Sequence, residues 1–131
     1  IEERGIEDRV VFLGHSDDLQ DLLPLCDLLL LPSLHESFGL VGLEAMACGT
    51  VPLLTSVGGA GEFIQDGING FLRDPQDVVG MAQAALTVLQ DDELRQHMRE
   101  EGLRDAAADF GAQCVMKQYL GVYDRLLDAG G

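Results

Sequence analysis

The sequence predicts an α/β fold, a parallel sheet sandwiched by helices, and three observations carry that prediction. Short apolar runs stop abruptly at Gly or Pro, as strands buried on both faces do. Helix-periodic segments separate those runs. The resulting order of strand, helix, strand, helix, strand is the pattern of a parallel α/β sheet.

Taken in order, residues 10–13 (Val10-Val11-Phe12-Leu13) form a β-rich run stopped by Gly14. Residues 1–6 read as the tail of a helix leading into it, so an upstream portion is expected to be absent. Ser16 or Asp17 can cap a short helix with Leu19, Leu22, Leu23 and Cys26 on one side. The apolar run Leu28–Leu31, stopped by Pro32, is the second strand. A helix begins near Gly39 and ends at Cys48-Gly49, where glycine supplies a left-handed stop. Val51–Thr55 is the third strand. Val57-Gly58-Gly59-Ala60-Gly61-Glu62 reads as a glycine-rich turn into a short helical piece, serving either turn chemistry or close ligand approach. Gly70-Phe71-Leu72 adds a small strand. Asp74-Pro75 offers a cap followed by proline at the first helical position, with Val78, Ala82, Ala85, Leu86 and Leu89 at helical spacing. Further helices fit residues 92–107 and 112–127. The last carries Val115, Tyr119, Val122 and Leu126 along one face, with Tyr119 and Tyr123 read as packing residues.

Composition narrows the function classes. A chain of 131 residues with 47% hydrophobic content is the size of one domain with a real core, and residues 1–131 are read as a single domain. The longest apolar run falls far short of the ~20 residues that span a bilayer. The acidic start does not resemble a signal peptide. No transmembrane segment is predicted, and a cytoplasmic location is expected. Eight basic against 23 acidic residues give a formal charge of −15, which repels nucleic acid and anionic membranes. No Lys or Arg lies between Arg9 and Arg73. Cys26, Cys48 and Cys114 are widely spaced among apolar neighbours, which argues for buried thiols and against a disulfide framework or metal cluster.

Inside that cation-free interval lies Glu36-Ser37-Phe38-Gly39-Leu40-Val41-Gly42-Leu43-Glu44, two carboxylates eight residues apart around a glycine where an apolar helix begins. A helix N-terminus carries unpaired N–H groups and about half a positive charge, so it can hold a diphosphate without a cationic side chain. Gly39 has no Cβ to keep a ligand off the backbone. Glu44, about one turn into the helix, leans toward the N-terminus and can accept from vicinal hydroxyls such as those of a ribose. Glu36, ahead of the helix, is left to face whatever the diphosphate carries, and a sugar ring offers it hydroxyl donors. The plainer alternative is a capped helix with two solvated glutamates. A cation that neutralises the phosphates must come from outside the chain or fold in from afar. His35, adjacent to Glu36, reads either as a group near the sugar-bearing ligand or, in the favoured reading, as an exposed loop histidine, and His97 reads as solvated.

Five ordered blocks carry a resemblance: Val10 to Gly14; Leu31-Pro32-Ser33-Leu34-His35-Glu36-Ser37-Phe38-Gly39; Leu43-Glu44-Ala45-Met46-Ala47-Cys48-Gly49; Gly58-Gly59 with Glu62; and Asp66-Gly67 with Gly70-Phe71-Leu72. In order and spacing, over about residues 10–127, they resemble the C-terminal half of family-four glycosyltransferases. Within that family, residues 36–49 look most similar to the enzymes that join N-acetylglucosamine to malate in bacillithiol synthesis. The resemblance implies a Rossmann-like, N-terminally truncated lobe of a GT-B fold that holds a nucleotide-diphosphate sugar, expected to be a UDP-sugar. The acceptor would be held by a missing N-terminal lobe. It further implies retaining transfer without an obligatory metal ion, and no cofactor. By the family pattern Glu36 is the catalytic-site carboxylate on the donor sugar. Backbone groups of Phe38, Gly39, Leu40 and Val41 meet sugar and phosphate, Glu44 holds the ribose, and the Gly14-His15 loop lies near the nucleobase. An Arg or Lys pair on the diphosphate would come from strands upstream of Ile1.

Two departures accompany the resemblance. Gly49-Thr50-Val51-Pro52 places its proline one position later than the usual Gly-Val-Pro, which bears on where the third strand starts. Gly61 stands where proline often precedes Glu62, which implies a looser loop, so Glu62 is carried over only as a structural residue or one that supports the site without touching the ligand. The parent is read as an enzyme of the hexosyltransferase class, with this fragment inactive alone. Two rivals stand beside it: a nucleotide-sugar epimerase lobe, which would turn over donor without acceptor, and a non-catalytic acidic interaction module, which would leave residues 36–44 unprotected by nucleotide.

Overall fold

A computed structural model of the chain describes residues 4–16 and 18–128. Leu28–Leu31 form β1 and Val51–Thr55 form β2, paired in parallel from Leu28↔Val51 to Leu31↔Leu54. Phe71–Arg73, β3, extends the sheet in parallel on the far side of β2, giving the order β1-β2-β3. All five residues of β2 are buried, which is why this central strand reads as a continuous apolar run and not as an alternation. Pro52 is tolerated there because its carbonyl, and with it the side lacking an N–H, faces Gly70 ahead of β3, whose ladder starts at Leu53↔Phe71.

The helices are α1 (Leu19–Leu22, continued by a 3-10 turn over Leu23–Leu25), α2 (Leu40–Ala47), α3 (Val78–Gln90), α4 (Asp92–Phe110) and α5 (Ala112–Asp128). Successive β2 side chains point to opposite faces. Val51 and Leu53 join Phe71 in packing on Met81, Ala84 and Val88 of α3 and Met98 of α4. Leu54 joins Met46 of α2, Phe63, Ile64 and Ala106 of α4 on the other face. Each fully buried side chain of this size contributes about 1.5–3 kcal/mol. The expected layering of helix, parallel sheet and helix is thus present.

The N-terminal edge of the sheet is tied by polar groups. Arg99 Nε donates to Gly49 O, Arg99 Nη2 donates to Cys26 O at 3.4 Å, and Thr50 Oγ1 donates to Leu23 O. Arg95 Nε lies 3.2 Å from Asp27 Oδ1. These contacts hold the β1 and β2 starts level, so both strands deliver their following loops to the same opposite edge.

Several elements differ from the sequence reading. Residues 10–13 are not a strand: Val10 is extended (φ −121°, ψ 127°), but the segment joins no ladder and Phe12 is 83% exposed. Strand propensity reflects fit to a pleated, packed surface, and no described strand lies beside this segment. Ser16 Oγ accepts from Asp18 N, the α1 N-cap position is Asp18, and Asp17 lies outside the described residues. Asp74 makes its own turn, accepting from Gln76 N at 2.8 Å, and the α3 cap is Asp77, which accepts from Gly80 N at 2.8 Å. The buried stripe of α3 is Met81, Ala84 and Val88, whereas Val78 is exposed. This helix is apolar around most of its circumference, so period alone does not select the face. The α5 stripe exists but is not covered: Val115 is half-buried, no residue of α5 is buried, and Tyr119 and Tyr123 are exposed instead of packed. Cys26 is exposed on the turn into β1, while Cys48 and Cys114 are half-buried. β2 starts at Val51 despite the displaced proline. No described helix is long and apolar enough to cross a membrane.

Gly70→Ala and Gly121→Ala should move stability in opposite directions. A Cβ on Gly70 would lie 2.7 Å from Pro52 O, an overpacking cost of about 1–3 kcal/mol. A Cβ on Gly121 meets nothing within 4 Å, and the helix there gains about 0.5–1 kcal/mol. Urea denaturation midpoints of the two variants check both signs.

Candidate functional site

The loops that follow β1 and β2 meet at the C-terminal edge of the sheet. The first runs from Pro32 to Gly39, and Thr55 Oγ1, at the end of β2, donates to its Ser33 O at 2.8 Å. The second turns at Gly58 (φ 72°) into a single 3-10 segment, Gly58–Glu62. Gly59 N donates to Ser37 O at 2.8 Å. A Cβ on Gly58 would sit 2.1 Å from Glu36 O and one on Gly59 2.8 Å from the Phe38 ring. Both loops are therefore in backbone contact: Gly58 makes the turn, and the group that approaches it is the backbone of the first loop.

Glu36 is half-buried, and its Oε1 accepts from Ser37 N at 2.9 Å, which fixes the carboxylate beside the helix entrance. Phe38 is half-buried against Phe63 (ring centroids 5.2 Å apart) and Phe110 (6.3 Å). Gly39, buried at φ 83°, is the N-cap of α2 and brings no side-chain oxygen to it. Gly42 N pairs with Gly39 O at 2.8 Å, while Leu40 and Val41 belong to the first turn, whose N–H groups have no intrahelical acceptor. Leu40 is exposed and Val41 half-buried. The first turn of α2 thus presents unpaired backbone N–H groups and helix-dipole positive charge at this edge.

Glu44 is exposed, about 7.5 Å along the α2 axis from Gly39 at the standard rise per residue. It borders a groove of about 310 Å³ with Ala47 of the same helix, Cys48 at its C-cap, and Leu19, Gln20 and Leu23 from the α1 region. Gly14 turns the chain (φ 69°) and His15 is exposed just before α1. The structure therefore joins Glu36, Phe38, Gly39, Leu40 and Val41 at the helix entrance and places Glu44 in a neighbouring groove. Gly14 and His15 lie on the segment that leads into the α1 wall of that groove. His35 and His97 are exposed. Glu62 is exposed at the end of the 3-10 turn. No cluster of metal-ligating side chains occurs among the described residues.

Counting charges along the chain misses Arg73, which β3 returns to this edge: its backbone O accepts from Ser56 N at 2.8 Å, next to the Gly58 turn. Its guanidinium is engaged locally, donating to Asp66 Oδ1 at 2.8 Å and Leu72 O at 2.6 Å and stacking over Phe71. Phe63 and Phe110 were equally invisible along the chain, since only the fold brings them under Phe38.

The chain belongs to the family of glycosyl transferases group 1, whose profile matches residues 1–105. It is 45% identical over 118 residues to N-acetyl-alpha-D-glucosaminyl L-malate synthase of Bacillus anthracis, covering 90% of this chain and 31% of that protein. That likeness is to the malate-joining enzymes that residues 36–49 resemble. Among solved structures, HepE of Anabaena in complex with UDP superposes with a TM-score of 0.90 at 31% identity, over 95% of this chain and 35% of that one. Sucrose-phosphate synthase from Thermosynechococcus elongatus gives 0.88 at 32% identity, over 98% and 33%. The chain is thus a Rossmann-like α/β unit similar to part of GT-B glycosyltransferases, and it spans about a third of the length of these relatives.

Gly58→Ala should cost about 2–4 kcal/mol, combining a left-handed backbone with a clash against Glu36 O. Gly67→Ala bears the backbone cost alone, because at φ 79° a Cβ there meets nothing within 4 Å. The difference between their urea midpoints measures the close approach of the two loops.

Proposed function

We propose that this chain is the donor-binding C-terminal lobe, a single domain, of a retaining family-four glycosyltransferase. The full protein would transfer a sugar from a nucleotide-diphosphate sugar, UDP-linked in this reading, to an acceptor held by an N-terminal lobe. The observation that carries the reading is the meeting of the two strand-end loops at the N-terminus of α2, with Glu36 at its entrance and Glu44 in the adjoining groove. Ligands of open α/β sheets bind at this carboxyl edge. The related HepE, solved with UDP and with UDP-glucose, supports the donor class. A cytoplasmic location belongs to the same reading.

In this mechanism the diphosphate lies against the first turn of α2, where Leu40 and Val41 N–H groups point at it and the absent Cβ of Gly39 lets it approach. Glu44 accepts from the ribose hydroxyls and the Gly14-His15 segment borders the nucleobase. Glu36 accepts from sugar hydroxyls and orients the anomeric carbon, a positioning carboxylate and not a nucleophile. Positioning of this kind accelerates transfer to the extent that it is stronger in the transition state than in the ground state. No metal ion is assigned a role. The cations that neutralise the leaving diphosphate would come from other parts of the full protein, so the 131-residue chain alone would transfer no sugar.

In the full-length protein, Glu44→Ala should weaken UDP binding by about 1.5–3 kcal/mol through lost hydrogen bonds to a charged acceptor. Glu36→Ala should lower turnover more than donor affinity. Equal, small effects on kcat/KM would restore the reading of a capped helix with solvated glutamates. Calorimetric UDP titrations should also show the full-length protein binding more tightly than the isolated chain, by a margin that narrows as salt rises. Equal affinity would remove the inferred external cations.

A further inference from the structure

We propose that Phe110, the last residue of α4, is a positioning residue for the donor-site loop and couples that loop to the α4–α5 junction. The inference rests on the donor-site reading of Glu36 to Glu44 and adds to it a residue more than 60 positions away in the chain.

Phe38 lies between Ser37, whose carbonyl accepts from Gly59 N, and Gly39, the N-cap of α2. Its ring is bounded on three sides. Gly59 approaches so closely that a Cβ there would sit 2.8 Å from Phe38 Cδ2, Phe63 lies 5.2 Å away between centroids, and Phe110 lies 6.3 Å away. Phe63 and Phe110 meet edge to face at 6.2 Å and 83°. Phe63 is itself anchored to α4: its carbonyl accepts from Asn69 Nδ2 at 3.1 Å, and the same fully buried amide donates to Asp105 Oδ2 at 2.9 Å. Two of the three walls around Phe38 therefore derive their position from α4, Phe63 through Asp105 and Phe110 directly.

Phe110 packs against the cluster on the Leu54 face of the sheet and also borders α5. Helical geometry stops at Gly111 (ψ 142°), and Phe110 shares a groove of about 390 Å³ with Val115, Tyr119 and Val122 of α5. Rotation of α5 about Gly111 thus acts on a ring that touches the donor-site loop. Without the Phe110 ring, Phe38 gains rotamers, and the Ser37–Gly39 backbone spends less of its time in the arrangement that receives a diphosphate. Apparent affinity falls with the competent fraction.

Amide exchange at Ser37 and Gly39 in the ligand-free full-length protein, together with calorimetric UDP titration, tests this with four proteins: wild type, Phe110→Ala, Phe110→Leu and Val88→Ala. Val88 is fully buried in the cluster on the opposite face, so Val88→Ala lowers global stability without touching the loop. Phe110→Ala should accelerate exchange at Ser37 and Gly39 and weaken UDP binding about fivefold, as a competent fraction reduced to about a fifth requires. Phe110→Leu keeps bulk but no ring and should move both readouts the same way by less, which preserves the comparison if the alanine variant does not fold. Val88→Ala should change neither. Loop exchange raised equally by Phe110→Ala and Val88→Ala would overturn the proposal, as would faster loop exchange with unchanged UDP affinity. Wild-type protein that binds no UDP would overturn the donor-site reading instead, and the exchange comparison would still decide whether Phe110 positions the loop.

Discussion

The contact of the loop after β1 with the turn after β2 is backbone on backbone, and the candidate site depends on it. Gly58 at φ 72° brings its α-carbon so near Glu36 O that no side chain fits, and Gly59 N–H closes the pair by donating to Ser37 O. Contact through main chain leaves the side chains of Glu36, Leu40 and Val41 uncommitted to holding the loops together, while the Phe38 ring packs beside Gly59 and Phe63. They are distributed instead by local geometry: Glu36 turned back onto Ser37 N–H, Phe38 turned under onto Phe63, Leu40 turned out. The same contact places the first turn of α2 at the carboxyl edge of the sheet, because α2 begins where the first loop is pinned. Leu54 completes the placement, since a Cβ on Gly42 would lie 2.6 Å from its Cδ2 and the helix must lie flat on β2.

The parts of this architecture legible in the sequence were those that depend on local chemistry. Leu28–Leu31 and Val51–Thr55 are apolar on both faces and bounded by turn residues, so their burial could be read directly. Gly39 and Gly49 marked both ends of α2, where the backbone goes left-handed at φ 83° and 74°. The readings that failed each depend on a neighbour. Residues 10–13 have the composition of a strand, but a ladder requires a second strand, and none of the described residues provides one. The stripe on α5 reports a face capable of burial and not its burial. Asp74 and Asp77 are both competent caps, and the choice fell to the one whose carboxylate reaches Gly80 N–H. At the site, the residue types at positions 36–44 were visible, whereas the aromatic floor under Phe38 was not, because Phe63 and Phe110 are contributed by two other elements.

A formal charge of −15 makes an anion-binding role look unfavourable until the charges are placed. Long-range repulsion from exposed carboxylates is screened within about 8–10 Å at ordinary ionic strength. The attraction at the start of α2 comes from fixed N–H dipoles at contact distance, which falls off within one turn and is little affected by distant side chains. Arg73 shows the other side of this balance. The fold carries it to the same edge, yet Asp66 and the Leu72 carbonyl already occupy its Nη1.

The order of groups at the edge constrains the shape of a ligand more tightly than the net charge does. A carboxylate accepts hydrogen bonds and repels phosphate, so Glu36 and Glu44 each disfavour phosphate at their own position and favour hydroxyls there. Between them lies the one stretch that favours negative charge, the first turn of α2. A molecule that satisfies all three must carry hydroxyls, then phosphate, then hydroxyls. A free nucleotide supplies only two of those three parts, and a sugar phosphate likewise. Under the proposed function, a nucleoside diphosphate joined to a sugar supplies them in sequence, ribose toward Glu44 and the transferred sugar toward Glu36. In the proposed reading, the two acidic residues in this cation-free stretch therefore select the donor's polarity: a ligand bound in reverse would put its smaller, differently spaced ring hydroxyls against Glu36 and leave the groove beside α1 without its base.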